Sequence, residues 1–227
     1  MKLKYAGSEQ HVYRSPATPV VFIVDGDESV RRALELRVRS AGWEPRTAAS
    51  AEEFLTYERA ATPSCLLVEL DLPEGSGLDL QKLVADRTDM PIIFMSSRAD
   101  IHATVQAMKG GAFEFLVKPV LSEVLLDAIR GALERSEAML RQLLQTHALH
   151  ARYDSLSRRE REVMSLLVRG RLNKQVGGEL GISEITVKAH RGKMMRKMHA
   201  SSFAELVTMA GRLRGAAEVR DAVLMPS

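Results

Sequence analysis

One cysteine, one tryptophan and few other aromatic residues are present in this sequence. With a single thiol, Cys65, no intrachain disulfide can form, and 227 residues are enough for two domains that each bury their own core. A reducing cytoplasm is the simplest compartment for a lone thiol inside an apolar run. No stretch approaches the roughly 18 consecutive apolar residues of a membrane span, so no membrane is expected. Residues 1–18 are polar and lack the apolar segment of a signal peptide, which makes them a loose leader. Repeats, low-complexity segments, nucleotide-binding loops and catalytic triads are missing too, and the chain is not expected to be an enzyme. His147 and His150 stand three positions apart without a neighbouring cluster of cysteines or carboxylates, so neither a metal nor a cofactor is expected there. Met194, Met195 and Met198 read as core fillers.

What is present is unevenly charged. Residues 1–121 carry 14 Lys and Arg against 17 Asp and Glu, residues 122–150 carry 3 against 4, and residues 151–227 carry 15 against 8. The base-rich end is the C-terminal third. Such an excess points to an electrostatic partner, most simply nucleic acid.

Apolar runs recur at "PVVFIV" (19–24), "CLLVEL" (65–70), "PIIFMSS" (91–97) and "FEFLVKP" (113–119), with a weaker candidate in "EPRTA" (44–48). Between them lie amphipathic stretches such as "ESVRRALELRVRSAG", in which Val30, Ala33, Leu34, Val38 and Ala41 share one helical face before Gly42 stops the helix. Continuous apolar strands alternating with helices predict an α/β domain, a doubly wound five-stranded parallel sheet covered on both faces, over residues 19–121. In such a sheet the functional crevice lies beyond the carboxyl ends of the strands. The residues there are Asp25, Gly26 and Asp27, then Glu69, then Ser96 and Ser97, and last Lys118 before Pro119.

From Ser122 a helical pattern runs to about His150, part of a linker helix over 122–153, with apolar positions at Leu125, Leu126, Ile129, Leu133, Leu140, Leu143 and Leu144, then His147. It is longer than one domain needs. A two-fold coiled-coil contact between chains and a helix that packs only within its own chain both account for it. At "LSRRERE", Ser157 and Glu160 form a capping-box pattern, and four helical blocks follow at roughly 157–169, 173–180, 184–198 and 202–214. They predict a smaller all-α domain over 154–215 with a tail from 216 to 227. "NKQVGGELGIS" gives a short helix ended by Gly181, and "SEITVKAHRGKMMRKM" a second helix capped by Ser183, the layout of a helix-turn-helix. On the second helix Val187, Met194 and Met198 should face the core. Ile185, Lys188, Ala189, Gly192 and Arg196 lie on the opposite arc, where cations and small residues allow close entry into a DNA groove. Asn173, Lys174, Arg191 and Lys193 are placed for phosphate contacts.

In order and spacing, "VFIVDGDESVRRAL", "LLVELDLPEGSG", "IIFMSS" and "FEFLVKP" resemble the receiver domain of two-component response regulators. The C-terminal pattern resembles the LuxR-type helix-turn-helix of the NarL/FixJ group. The resemblance implies a flavodoxin-like receiver and a transcriptional regulator that binds promoter DNA. It also implies a homodimer, a sensor histidine kinase or other signalling protein as partner, and a cytoplasmic location. The family's receiver holds Mg²⁺ with two adjacent acids and an acceptor Asp, and that Asp takes a phosphoryl group.

This sequence departs from that pattern in two places. Asp25 matches the first acid, but Gly26 stands where the second belongs and Glu69 stands where the acceptor belongs. Ser96, Phe115 and Lys118 match the switch hydroxyl, the switch aromatic and the lysine. Losing one carboxylate removes a ligand and a charge from an ion that needs near-octahedral oxygens at about 2.1 Å. A Glu carboxylate reaches about 1.5 Å, one C–C bond, beyond an Asp, which makes Glu69 a poor acceptor for in-line phosphoryl transfer. Glu69 is therefore expected to pair with Lys118 and accept a hydrogen bond from Ser96, a partial imitation of the phosphorylated state. A decayed pocket in which Glu69 is merely a satisfied polar residue is the other reading. A conventional Mg²⁺-dependent switch would need Asp27, or Asp71 as a displaced acceptor, to stand in.

Overall fold

The structure is a computed structural model that describes residues 18–98 and 100–223, with side chains described as far as Arg214. Most of the expected leader and the end of the expected tail lie outside the described residues. The chain divides into two compact units between Leu140 and Arg141.

The first unit is built on a five-stranded parallel sheet. Its strands are β1 (Val20–Val24), β2 (Glu44–Ala48), β3 (Ser64–Glu69), β6 (Ile92–Ser96) and β7 (Glu114–Val117), in the order β2-β1-β3-β6-β7. β1, β3 and β6 are buried at every residue, which is why they read as unbroken apolar runs. β2 lies at an edge with Glu44 and Arg46 exposed, which is why "EPRTA" was the weakest signal. Side chains alternate between two cores. Phe22, Leu66 and Phe94 face one side with Phe54 of α2 (Ala51–Leu55), Leu80 of α3 (Gly77–Leu83) and Ala107 of α4 (Ile101–Lys109). Ile23, Leu67 and Ile93 face the other with Leu34 and Val38 of α1 (Glu28–Ser40) and Leu125 and Ile129 of α5 (Ser122–Asp154). Each fully buried Phe, Leu or Ile contributes about 1.5–3 kcal/mol.

Two local features differ from expectation. Ala33 and Ala41 are exposed, so the buried stripe of α1 is narrower than its apolar pattern. The loop after β3 contains a small hairpin, β4 (Asp71–Leu72) antiparallel to β5 (Gly75–Ser76), too short to leave a sequence pattern. Within the first unit α5 is pinned by Ser136, whose buried hydroxyl accepts from the Ser64 N–H at 2.9 Å and donates to the Asp89 carbonyl at 2.5 Å.

The second unit contains α6 (Arg158–Leu167), α7 (Asn173–Leu180), α8 (Glu184–Met198) and α9 (Phe203–Val223), together with the end of α5. α9 continues well past the expected 214. The Ser157–Glu160 capping box forms on α6, Gly181 ends α7 with φ of 65°, and the Ser183 hydroxyl accepts from the Thr186 N–H at the start of α8. Val187, Met194 and Met198 are fully buried, as their spacing requires. Gly177 is needed for close approach, because a Cβ there would sit 2.7 Å from the Ile182 carbonyl oxygen. No described helix is long and apolar enough to cross a membrane.

Candidate functional site

Three strand ends bring their polar residues together. Asp25 follows β1, Glu69 ends β3 and Lys118 follows β7. The Lys118 ammonium donates to Asp25 Oδ2 at 2.8 Å and also to Glu69 Oε2, so one cation bridges two carboxylates that are nearly buried. The remaining carboxylate oxygens face backbone. Asp25 Oδ1 accepts from the Asp27 N–H at 2.9 Å, and Glu69 Oε1 from the Leu70 N–H at 3.0 Å. Burial pulls the Lys118 ammonium down, but its hydrogen bonds to Asp25 and Glu69 and their charges outweigh that and hold it above the ordinary lysine range. The lysine stays charged and the cluster closed.

Arg31, which sequence reasoning passed over, braces this corner by donating to the Asp25 carbonyl at 2.7 Å and the Gly26 carbonyl at 3.0 Å. The available signal was its place on the first turn of α1, within reach of the loop before it.

Asp27 enters the crevice only through its backbone. Its carboxylate caps α1, accepting from the Ser29 hydroxyl at 2.6 Å and the Ser29 N–H at 2.8 Å. Those two bonds and a third from the Val30 N–H hold it below the usual carboxylate range. Ser96 is fully buried, but it does not bond Glu69 as expected; its Oγ accepts from the Arg98 N–H at 3.1 Å. The reason is local, since Glu69 turns its carboxylate onto Leu70 and Lys118. Phe115 is half-buried, its ring 6.2 Å from that of Phe94 at an interplanar angle of 25°. Asp71 is exposed on the hairpin.

The glycine at 26 has a steric cause. A Cβ there would lie 2.6 and 2.8 Å from Cγ and Cδ of Pro73, closer than carbon atoms can approach, so the loop after β3 occupies the space where a second acid would project. The residues present do not fit Mg²⁺. Gly26 offers no side-chain oxygen, Asp27 is committed elsewhere, and Lys118 already holds one oxygen of each of the two carboxylates that remain and offsets half of their charge.

In the second unit α7 and α8 present the expected surface. Ile185 is 80% exposed, Lys188, Ala189 and Arg196 are exposed, and Gly192 is half-buried, all away from the buried stripe of α8. Lys174 and Lys193 face solvent, and Asn173 is half-buried as the first residue of α7. Two of the cations are engaged. Lys188 pairs with Glu184 at 2.9 Å, an exposed i,i+4 contact worth only about 0.3–0.5 kcal/mol and easily exchanged. Arg191 lies over the Phe203 ring at 5.2 Å, which fixes its plane and leaves its edge to donate.

Beneath this surface is a charged lock that sequence reasoning missed. Buried Glu160 accepts from the Ser157 N–H at 2.9 Å and from Lys197 at 2.7 Å, and Lys197 also donates to the Ser155 carbonyl at 3.0 Å. Burial raises the Glu160 carboxyl, but the bonds from Lys197 and Ser157 prevail and hold it below its ordinary 4.5. A depressed carboxyl contributes stability that is present above 4.5 and lost as pH falls through the folded value. Glu160→Gln is expected to cost about 1–2 kcal/mol at neutral pH, half-exposed Lys197 tempering the loss. Thermal melts of both proteins should converge at acidic pH; a gap independent of pH would refute the assignment.

Comparison with known proteins follows the same division. Residues 21–130 match the response regulator receiver domain, and residues 154–210 match the bacterial regulatory proteins of the luxR family. The chain is 41% identical over 212 residues to the response regulator protein TmoT of Ectopseudomonas mendocina, covering 93% of this chain and 96% of that one. It is 43% identical over 195 residues to nodulation protein W of Bradyrhizobium diazoefficiens, covering 86% of each. The solved structure of the response regulator StyR superposes with a TM-score of 0.78 at 41% identity, over 86% of this chain and all of that one.

Proposed function

Because the chain belongs to the response regulators that join a receiver domain to a LuxR-type DNA-binding domain, we propose that it regulates transcription through a receiver that needs no phosphorylation. The observation that carries this reading is the closed corner of the receiver. Lys118 bridges Asp25 and Glu69, and Pro73 fills the space over Gly26. An acceptor must be free and beside a metal ion, whereas Glu69 is held by Lys118 and the Leu70 N–H, and Gly26 supplies no second acid to help hold Mg²⁺. The cluster gives the crevice a fixed charge arrangement in place of one that changes with phosphate. A sensor histidine kinase or another signalling protein is then a docking partner, not a source of phosphoryl groups. The setting of this reading is the cytoplasm, where promoter DNA is within reach.

On DNA, Ile185, Lys188, Ala189, Gly192 and Arg196 of α8 enter the major groove, and Asn173, Lys174, Arg191 and Lys193 hold the phosphates. Two copies bind together, since a homodimer doubles these contacts on a two-fold site. Apolar side chains available for such pairing stand exposed on the receiver, among them Ile101, Val105 and Met108 of α4, Val117 of β7 and Leu121 before α5. Leu143 and Leu144 are likewise exposed on α5, in the stretch whose apolar spacing suits a coiled coil.

Incubation with Mg²⁺ and acetyl phosphate, followed by intact mass measurement, tests the receiver reading. No phosphoryl adduct is expected, and an adduct on the native chain overturns it. The Gly26→Asp, Glu69→Asp double variant should also stay unmodified, because Pro73 still blocks the new side chain. Adding Pro73→Ala should permit modification.

A further inference from the structure

The second unit contains a pocket of about 370 Å³ that no residue of α7 or α8 lines. It lies among the end of α5, α6 and α9, and its size is that of a small-molecule site. Met164, Val168 and Leu213 supply apolar wall, and Arg161, Arg169 and Arg214 supply three cations. Asp154 is the one acid among the described residues that line it. The charge balance of the lining is therefore positive around an apolar floor.

The state of the arginines sharpens this. The Arg161 guanidinium lies 5.2 Å from the Tyr153 ring centroid and donates to the Asp154 carbonyl at 2.8 Å, while its Nε is buried without a hydrogen-bond partner among the described residues. That nitrogen is sealed from the pocket, so the guanidinium, whose side chain is partly exposed, can meet a bound acceptor only through its outer nitrogens. The Asp154 carboxylate lies 3.9 Å from Arg161 Nη2 and is mostly exposed, too distant for a hydrogen bond. Arg169 and Arg214 make no side-chain hydrogen bond or ion pair among the described residues.

We propose that this pocket binds a small amphipathic carboxylate, its apolar body against Met164, Val168 and Leu213 and its head group on the three guanidinium groups. Carboxylate matches the planar fork of arginine, and the apolar wall selects against sugars and free phosphate. The volume admits one small molecule and no folded partner. Since α6 and α9 both pack on α8, such a ligand acts directly on the DNA-binding unit.

Octanoate and octanol, which share a chain and differ in the charged head, test the proposal on the full-length protein by calorimetric titration and thermal shift. Octanoate should bind once per chain and raise the melting temperature of the second unit, with octanol about tenfold weaker. Arg169→Gln with Arg214→Gln should weaken octanoate about tenfold and leave octanol unchanged. Val168→Trp, checked for native fold by circular dichroism, should abolish binding of both. Equal affinity for acid and alcohol, or octanoate binding that survives both the double variant and the filled pocket, would overturn the assignment.

Discussion

Lys118→Met is expected to lower receiver stability by about 3–5 kcal/mol at neutral pH, the cost of leaving buried charges without their counter-charge. The side chains of Asp25 and Glu69 are only 6% and 10% exposed, so water cannot replace the ammonium. Methionine keeps most of the length and volume of lysine, which isolates the charge from the packing. Adding Asp25→Asn and Glu69→Gln to Lys118→Met should recover most of the loss, because neutral neighbours no longer need a cation. The pH dependence has a definite sign. Because the Lys118 ammonium is held above its ordinary 10.5, its contribution is fully present below 10.5 and disappears as pH rises through the higher folded value. The gap between native and Lys118→Met proteins should therefore be flat through neutrality and narrow in strong alkali. Urea unfolding followed by circular dichroism measures it. A loss below about 1 kcal/mol would mean that the bridge behaves as a solvated surface pair.

Gly192→Glu should reduce DNA affinity on the order of 100-fold, about 2.7 kcal/mol, without unfolding the second unit. A Cβ at Gly192 meets nothing closer than an Arg196 side-chain nitrogen at 4.0 Å, so the unit's own packing does not require glycine there. Within a helix glycine costs up to about 1 kcal/mol relative to alanine. Lys188 and Arg196 stand four residues to either side, so an acidic side chain also gains i,i±4 partners. The substitution should thus raise the melting temperature while placing bulk and negative charge against the groove and its phosphates. Gly192→Ala is the milder companion, stabilising with a smaller loss of binding. Gel shifts at two salt concentrations check both. Unchanged affinity in Gly192→Glu would remove this face of α8 from the DNA interface.

Much of this architecture is legible in the residues, and for identifiable reasons. β1, β3 and β6 read clearly because both faces of a central parallel strand are buried, whereas edge strand β2 alternates and nearly escaped. Caps at Ser157, Gly181 and Ser183 were readable because each depends on neighbours within a few positions. Contacts between distant segments were not readable. Nothing near Gly26 in the chain says that Pro73 lies over it, so the missing acid looked like a lost ligand when it is also a filled space. Spacing placed Ser96 and Glu69 at one crevice, but the direction in which a flexible Glu folds depends on competing donors, and Leu70 and Lys118 hold it in the structure. The Glu160–Lys197 lock and the arginine-rimmed pocket were hidden for the same reason, since their members come from separate helices.

Cys65 offers a practical consequence. The sole sulfhydryl lies fully buried in β3, and burial pushes its ionisation up to about 12. At neutral pH it is neither a thiolate nor reachable, so thiol-directed reagents should pass over it in the folded chain. It becomes visible only when the central strand is exposed. The rate at which a maleimide dye attaches to this protein is thus a clock for opening of the sheet, with no engineered label required.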